Sequence, residues 1–193
     1  MKNNLSQGAF GKIYNGQDVT RVKHGVPKPV IIKFTQSHSM NDREFDALVE
    51  INQKVQDTYG PKIHMFPRTY VKGKIIILDE SMQGIQVINS NDSAQEIEKK
   101  LLNNVHSYIV QEKLGKTLED YLFERNEPFT QNCVYKIGIQ LLDQIQMIHE
   151  SGFTFNDLKL DNILVGDCEE MPDWKYSLHK IKIIDFGLAK KYL

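Results

Sequence analysis

The chain has 193 residues, is 40% hydrophobic and 25% charged, and carries a formal net charge of −1, the composition of one folded domain or a small two-lobed unit and not of a disordered segment. So balanced a charge gives no support to a nucleic-acid-binding or polybasic membrane surface, and no apolar run approaches the length of a membrane-spanning helix. Cys133 and Cys168 lack metal-ligand spacing and the residues after Met1 lack the apolar stretch of a secretory signal, so a soluble intracellular chain, cytoplasmic or nuclear, with reduced thiols is expected.

In chain order, residues 5–14 read L-S-Q-G-A-F-G-K-I-Y, a turn with Gly8 and Gly11 flanking an aromatic and leading into a strand. Glycines in such a hairpin let backbone N–H groups approach an anion without a Cβ in the way, although a tight hairpin alone needs them as well. Residues 29–34, P-V-I-I-K-F, suit a buried strand interrupted by Lys33. Burying an ammonium is costly unless it is paired; the alternative is an edge lysine reaching water. Residues 41–55 have helical periodicity, with Asn41 or Asp42 as N-cap and an acidic first turn. Glu44, Leu48, Ile51 and Val55 share one face, while Glu50 lies with Asp46, Lys54 and Asp57 on a polar one.

Residues 60–78 read as a loop followed by strands over 66–71 and 74–78, with a turn at Lys72-Gly73. Residues 79–104 contain a polar, turn-rich stretch and then a short helix over 94–102; no chemistry is assigned to them. A strand over 108–111, a break over 112–115 and a helix start over 117–123 follow. The clearest helix spans 131–150, with an apolar stripe of Val134, Ile137, Leu141, Ile145 and Ile148 and a stop at Ser151-Gly152.

The densest chemistry lies in residues 152–165, G-F-T-F-N-D-L-K-L-D-N-I-L-V, where Asp157, Lys159 and Asn162 form a polar cluster bracketed by apolar residues. Downstream, I-K-I-I-D-F-G-L at 181–188 is a β-like run ending in Asp185-Phe186-Gly187. Two acid-bearing loops, each beside an Ile-rich strand, suggest a phosphate and metal site, since Mg²⁺ takes a carboxylate or two from the protein and the rest from phosphate and water.

These residues resemble the catalytic and metal-binding loops of eukaryotic protein kinases, and residues 183–192, I-I-D-F-G-L-A-K-K-Y, are similar to the casein kinase I family. The resemblance implies an α+β fold: a complete N-lobe of antiparallel sheet plus one main helix over residues 1–114, with an insertion at 79–104. A partial helical C-lobe would follow over residues 115–193, ending just after the Asp-Phe-Gly motif. It implies ATP and Mg²⁺ as cofactors, protein Ser/Thr substrates, no nucleic-acid or membrane partner, and a monomer where the domain is complete. Asp157 would accept a hydrogen bond from the substrate hydroxyl, orient it and take its proton late, and Lys159 would neutralise charge growing on the transferred phosphoryl. Asn162 and Asp185 would hold the metal.

Ser6, Gly8 and Gly11 would form the glycine-rich loop, with Ser6 standing where the first glycine is expected. Lys33 would bind the α- and β-phosphates and pair with a helix glutamate, either Glu44 or Glu50, of which Glu44 has the better face. Residues 107–123 resemble the family's hinge, with Gln111 as a polar gatekeeper and backbone groups of Glu112 and Leu114 meeting the adenine edge. Phe155-Asn156-Asp157 replaces the usual His-Arg-Asp, so activity independent of activation-loop phosphorylation is expected, with Phe155 as the packing element. The chain stops soon after Gly187, and a fragment or truncated paralogue is expected, its 131–150 helix left with an exposed apolar face. Other readings are a pseudokinase scaffold, a small-molecule kinase of the aminoglycoside type, which Lys159 disfavours, and a non-enzymatic regulator of an intact kinase.

Overall fold

The computed structural model describes residues 4–8, 11–23, 25–61, 63–76, 93–103, 105–124, 127–166 and 180–192. The first half builds a five-stranded antiparallel sheet in the order β1-β2-β3-β5-β4 from β1 (Asn4–Gly8), β2 (Gly11–Lys23), β3 (Val26–Thr35), β4 (Thr69–Ile76) and β5 (Val105–Glu112). Helix α1 (His38–Tyr59) follows β3, and α2 (Ala94–Asn103) precedes β5. The second half runs α3 (Leu118–Glu124), α4 (Gln131–Glu150), β6 (Phe153–Thr154), β7 (Ile163–Val165), β8 (Ile181–Ile183) and β9 (Lys190–Lys191). Single 3₁₀ turns lie at Leu160–Asn162 and Phe186–Leu188. β6 pairs with β9 and β7 with β8, both antiparallel.

Helix α1 binds the two halves together. Its buried face, Ala47, Leu48, Ile51 and Val55, packs in one cluster with Phe66 and with Ile148, Phe153, Phe155, Ile183 and Phe186 from the second half. A second cluster joins Leu118, Ile137, Ile163, Val165 and Ile181, and Leu141 of α4 touches both. Lys54 on α1 also donates to the Ser151 carbonyl at 2.8 Å.

The sequence expectations need three corrections here. Helix α1 begins at His38, with Ser37 in the cap position and the Asn41 N–H bonded to the Ser37 carbonyl at 3.1 Å; its first turn has no acid. The polar Ser37-His38-Ser39 run looks like loop, and Ser37 starts the helix through its carbonyl alone, its side chain making no capping hydrogen bond. Lys72-Gly73 is no turn: β4 runs unbroken through it, and the described residues stop at Ile76, short of 77–92. A Cβ on Gly73 would lie 2.7 Å from the Tyr108 hydroxyl, so the glycine makes room for a neighbouring ring within the sheet. Val134, in the expected apolar stripe, is 51% exposed, because it sits in the first turn of α4, short of the strands that Ile137 and Ile148 cover. The capping of α4 is regular: Thr130 Oγ1 accepts from the Cys133 N–H at 3.3 Å, and Gly152 adopts φ 82 past the end. Tyr135, Ile139 and Leu142, spaced along another face of α4, are exposed.

Two buried polar arrangements position β8, the strand that leads to Asp185. Gln144 is fully buried; its Nε2 donates to the Ile181 carbonyl at 3.0 Å and its Oε1 accepts from the Ile183 N–H at 3.0 Å. Gln140 Oε1 accepts the Ile181 N–H at 3.1 Å, so α4 hydrogen-bonds the strand as a neighbouring strand would. On β8 itself, buried Lys182 reaches buried Glu112 at the end of β5, 2.8 Å away. Glu112 Oε2 also accepts the Arg68 N–H at 3.1 Å, and the Glu112 N–H donates to the Arg68 carbonyl at 2.8 Å.

Gln144→Leu strands the Ile181 carbonyl and the Ile183 N–H in the core and is expected to lower unfolding free energy by about 2–4 kcal/mol in urea titrations; Gln146→Leu, on the exposed side, is the control. Lys182→Met leaves the Glu112 carboxylate buried without a counter-charge and is expected to cost about 3–5 kcal/mol. Lys182→Met with Glu112→Gln is expected to regain more than half of that, because the amide oxygen still serves the Arg68 N–H; no recovery would mean that the ion pair is not the source of the loss.

Candidate active site

Lys33 occupies β3 opposite Ile13 and Ile109, at the centre of the sheet, and is buried. Its Nζ lies 2.6 Å from Glu44 Oε2 on α1 and 3.0 Å from Asp185 Oδ1 beyond β8. Burial by itself would pull the ammonium toward its neutral form, but the Glu44 and Asp185 carboxylates outweigh it and hold the Lys33 pKa above the usual lysine value. Glu44 is pushed up by burial, opposed by Lys33 and pushed further by Asp185. Gln111, at the inner end of β5 and buried, turns its Nε2 toward Glu44 Oε1 at 3.5 Å, the outer limit of a hydrogen bond. Glu50 lies on the outer face of α1, bonded to Lys191 at 2.7 Å and Lys54 at 3.0 Å. Those two ammonium groups hold its carboxyl below the usual range. Of the two candidate partners, Glu44 is the one beside Lys33.

The loop before β7 gathers the second group. Asn162 is buried, and its Nδ2 donates to Asp157 Oδ2 at 2.7 Å and to the Asp157 carbonyl at 2.9 Å. Lys159 Nζ, largely exposed, stands 3.4 Å from Asp157 Oδ2. The Ile184 N–H donates to the Asn162 carbonyl at 2.9 Å, which extends the β7–β8 pairing and places the 157–162 loop against Asp185. Asp185 itself adopts φ 64 and ψ 72, left-handed backbone that an acid tolerates better than most residues. It is followed by Phe186, fully buried edge-on against Phe66 and Phe155, with centroids 5.7 and 5.1 Å away. Phe155 thereby anchors both acid-bearing loops to one aromatic stack.

β1 and β2 form the expected glycine hairpin, with Gly8 opposite Gly11 and Ser6 opposite Ile13; Ala9 and Phe10 lie outside the described residues. Gly11 is required by the fold alone: it has φ 144, and a Cβ there would fall 2.0 Å from the Phe34 carbonyl oxygen. Leu114 is buried just past β5, and the Gly115 N–H is bonded to the Val165 carbonyl at 2.9 Å, which fixes the crossing into the second half.

The donor set suits a hard divalent cation. With the Asn162 Nδ2 directed at Asp157, its amide oxygen is free for other use, and Asp185 supplies a carboxylate. One carboxylate and one neutral oxygen make a partial shell of the kind Mg²⁺ completes with phosphate and water. Among the described residues no cluster of three or more His, Cys, Asp or Glu suits a metal that needs an all-protein cage. Two contributors escaped the sequence reading: Gln144 and Lys182. Lys182 carries the same signal that singled out Lys33, a cation inside an Ile-rich strand, and Gln144 is a polar residue in step with Ile137, Leu141 and Ile148.

The chain is 26% identical over 193 residues to cyclin-dependent kinase G1 of Arabidopsis thaliana, covering 98% of this chain and 25% of that protein. It is 26% identical over 161 residues to nucleosomal histone kinase 1 of Drosophila melanogaster, covering 80% of this chain and 24% of that protein. A match of 32% over 90 residues to "Probable serine/threonine-protein kinase FPV212" of fowlpox virus (strain NVSL) covers 47% of this chain and 26% of that protein. The chain thus spans about a quarter of the length of these relatives, none of which bears the name casein kinase I. No helix among the described residues is long and apolar enough to cross a membrane. The profile of the protein kinase domain matches residues 1–193, from end to end, and the chain belongs to the protein kinase family.

Proposed function

We propose that the chain carries the nucleotide and catalytic half of an ATP-dependent protein serine/threonine kinase of casein kinase I type. The observation that carries the proposal is the Lys33 ammonium held between Glu44 Oε2 at 2.6 Å and Asp185 Oδ1 at 3.0 Å. That arrangement aims a fixed positive charge at the place where phosphate oxygens would lie, beside a carboxylate able to hold their counter-cation. Residues 1–114 would cover the nucleotide, and residues 115–193 would present the catalytic loop to it.

Each residue then has a role set by its position. The hairpin of Ser6, Gly8 and Gly11 would close over the phosphates with backbone N–H groups. Lys33 would bind the α- and β-phosphates, and Glu44 would keep Lys33 in place. Gln111 would line the inner wall of the adenine pocket, and backbone groups of Glu112 and Leu114 would meet the adenine edge. Asp157 has one carboxylate oxygen engaged by Asn162 and Lys159; the other is available to accept a hydrogen bond from a substrate hydroxyl, orient it and take its proton late. Lys159 would offset negative charge on the phosphoryl group in flight. Asn162 and Asp185 would hold Mg²⁺, which when bound supplies charge neutralisation to the phosphates. The Ser/Thr assignment rests on Lys159, two residues past the acid, and the casein kinase I assignment on residues 183–192 and the hinge wording.

A second reading, a nucleotide-binding or scaffolding module without turnover, draws on the exposed Tyr135, Ile139 and Leu142 of α4. One experiment separates the two. Thermal shift with Mg-ATP and transfer of labelled γ-phosphate to casein are measured on wild type, Asp185→Ala and Lys33→Met. The kinase reading expects a shift and transfer in wild type, with transfer lowered at least about a hundredfold in both variants. A wild-type shift without transfer selects the scaffold, and neither shift nor transfer sinks both.

A further inference from the structure

Described non-glycine residues with left-handed backbone are Asn156, at φ 67, and Asp185, at φ 64. They sit at corresponding points of the two acid-bearing turns, Asn156 immediately before Asp157 and Asp185 as the acid itself. Asn156 Nδ2 donates to Thr154 Oγ1 at 2.9 Å and to the Leu188 carbonyl at 3.2 Å, within the 3₁₀ turn that Asp185 opens. The same side of the molecule carries the β6–β9 pairing, where Thr154 Oγ1 donates to the Lys190 carbonyl at 3.3 Å and the Tyr192 N–H to the Gly152 carbonyl at 3.0 Å. The amide is therefore a direct side-chain tie between the loop bearing Asp157 and the turn bearing Asp185.

We infer that Asn156 is a positioning residue: its amide holds the Asp185 turn against the Asp157 loop, so the two carboxylates keep their spacing. Asparagine is suited to the position for two separable reasons. It tolerates φ > 0 better than other residues that carry a side-chain N–H. Its single Nδ2 has two hydrogens, which match the two acceptors, Thr154 Oγ1 and the Leu188 carbonyl. Aspartate shares the first property and lacks the second; glycine keeps the backbone and removes the side chain altogether. The tie uses neutral groups already in the chain, so its strength does not depend on adding a phosphate or on pH in the neutral range. Its consequence for phosphoryl transfer rests on the kinase reading above.

The test compares wild type, Asn156→Asp and Asn156→Gly by hydrogen exchange in the absence of nucleotide, with the Ala189 and Tyr192 amides as reporters and the Ile148 amide in α4 as reference. Both variants are expected to exchange about fivefold faster or more at Ala189 and Tyr192, the cost of one or two ordinary hydrogen bonds, with Ile148 unchanged. Where wild type transfers phosphate, both are also expected to lower kcat by a similar factor while the KM for ATP stays put, since Lys33 and the hinge are untouched. Unchanged exchange at Ala189 and Tyr192, or aspartate behaving as asparagine does, overturns the tie whatever the activity. An inactive wild type whose variants still exchange faster retains the tie and removes the kinase reading, and the catalytic consequence goes with it.

Discussion

An ammonium group inside a β-sheet is tolerable only when its counter-charges are in place, and Lys33 sets that condition for most of this molecule. Its partners come from distant parts of the chain, Glu44 from the helix packed on the sheet and Asp185 from beyond β8. Bringing both to one nitrogen requires α1 to lie inward and β8 to end at a fixed point under the sheet. The buried face of α1 meets the first requirement by packing Leu48 and Ile51 with Phe66, Phe155 and Phe186. The apolar cluster and the ion triad are therefore one construction: the apolar contacts position the carboxylates, and the carboxylates make the buried lysine affordable.

The second requirement is met with polar groups. Among the described residues strand β8 pairs with β7 alone, and the side chains of Gln140 and Gln144 supply a ladder on its other side. Glu112 and Lys182 tie that strand to the end of β5, where the chain crosses between the two halves. Both devices pair buried polar groups with defined partners, and such directional bonds fix a geometry where an apolar contact would allow sliding. A strand of three residues is held in register this way, and with it the position of Asp185.

Local features of the site were legible in the sequence, and the reasons are physical. Asp157, Lys159 and Asn162 lie within one loop, so their meeting needs no knowledge of the fold. The choice of Glu44 over Glu50 followed from helix periodicity, because an inward face is readable from Leu48, Ile51 and Val55. What escaped depends on which surfaces meet. Gln144 looks like an ordinary helix-surface residue until β8 is laid beside it, and nothing in residues 105–112 alone says that Glu112 faces Lys182. Gly73 misled because a glycine that clears space for a ring and one that makes a turn look alike in one sequence; only the position of Tyr108 tells them apart. The start of α1 slipped for a similar reason, since the cap at Ser37 carries no apolar marker.

Charge balance at the site shapes how a ligand can enter. Lys33 contributes one positive charge, and Glu44 and Asp185 contribute two negative ones within about 3 Å of it. Burial pushes the Glu44 carboxyl up, Lys33 opposes it, and Asp185 adds a smaller upward push. Asp157 and Lys159 cancel one another nearby. A bare triphosphate arriving here would meet one lysine already engaged and a carboxylate with no counter-ion, and repulsion from Asp185 would offset much of the attraction to Lys33. A divalent cation held by Asp185 and the amide oxygen of Asn162 would turn the same carboxylate from an obstacle into an anchor. In the proposed kinase, nucleotide and metal would therefore bind together, with the cation shielding Asp185 from the phosphates that Lys33 faces.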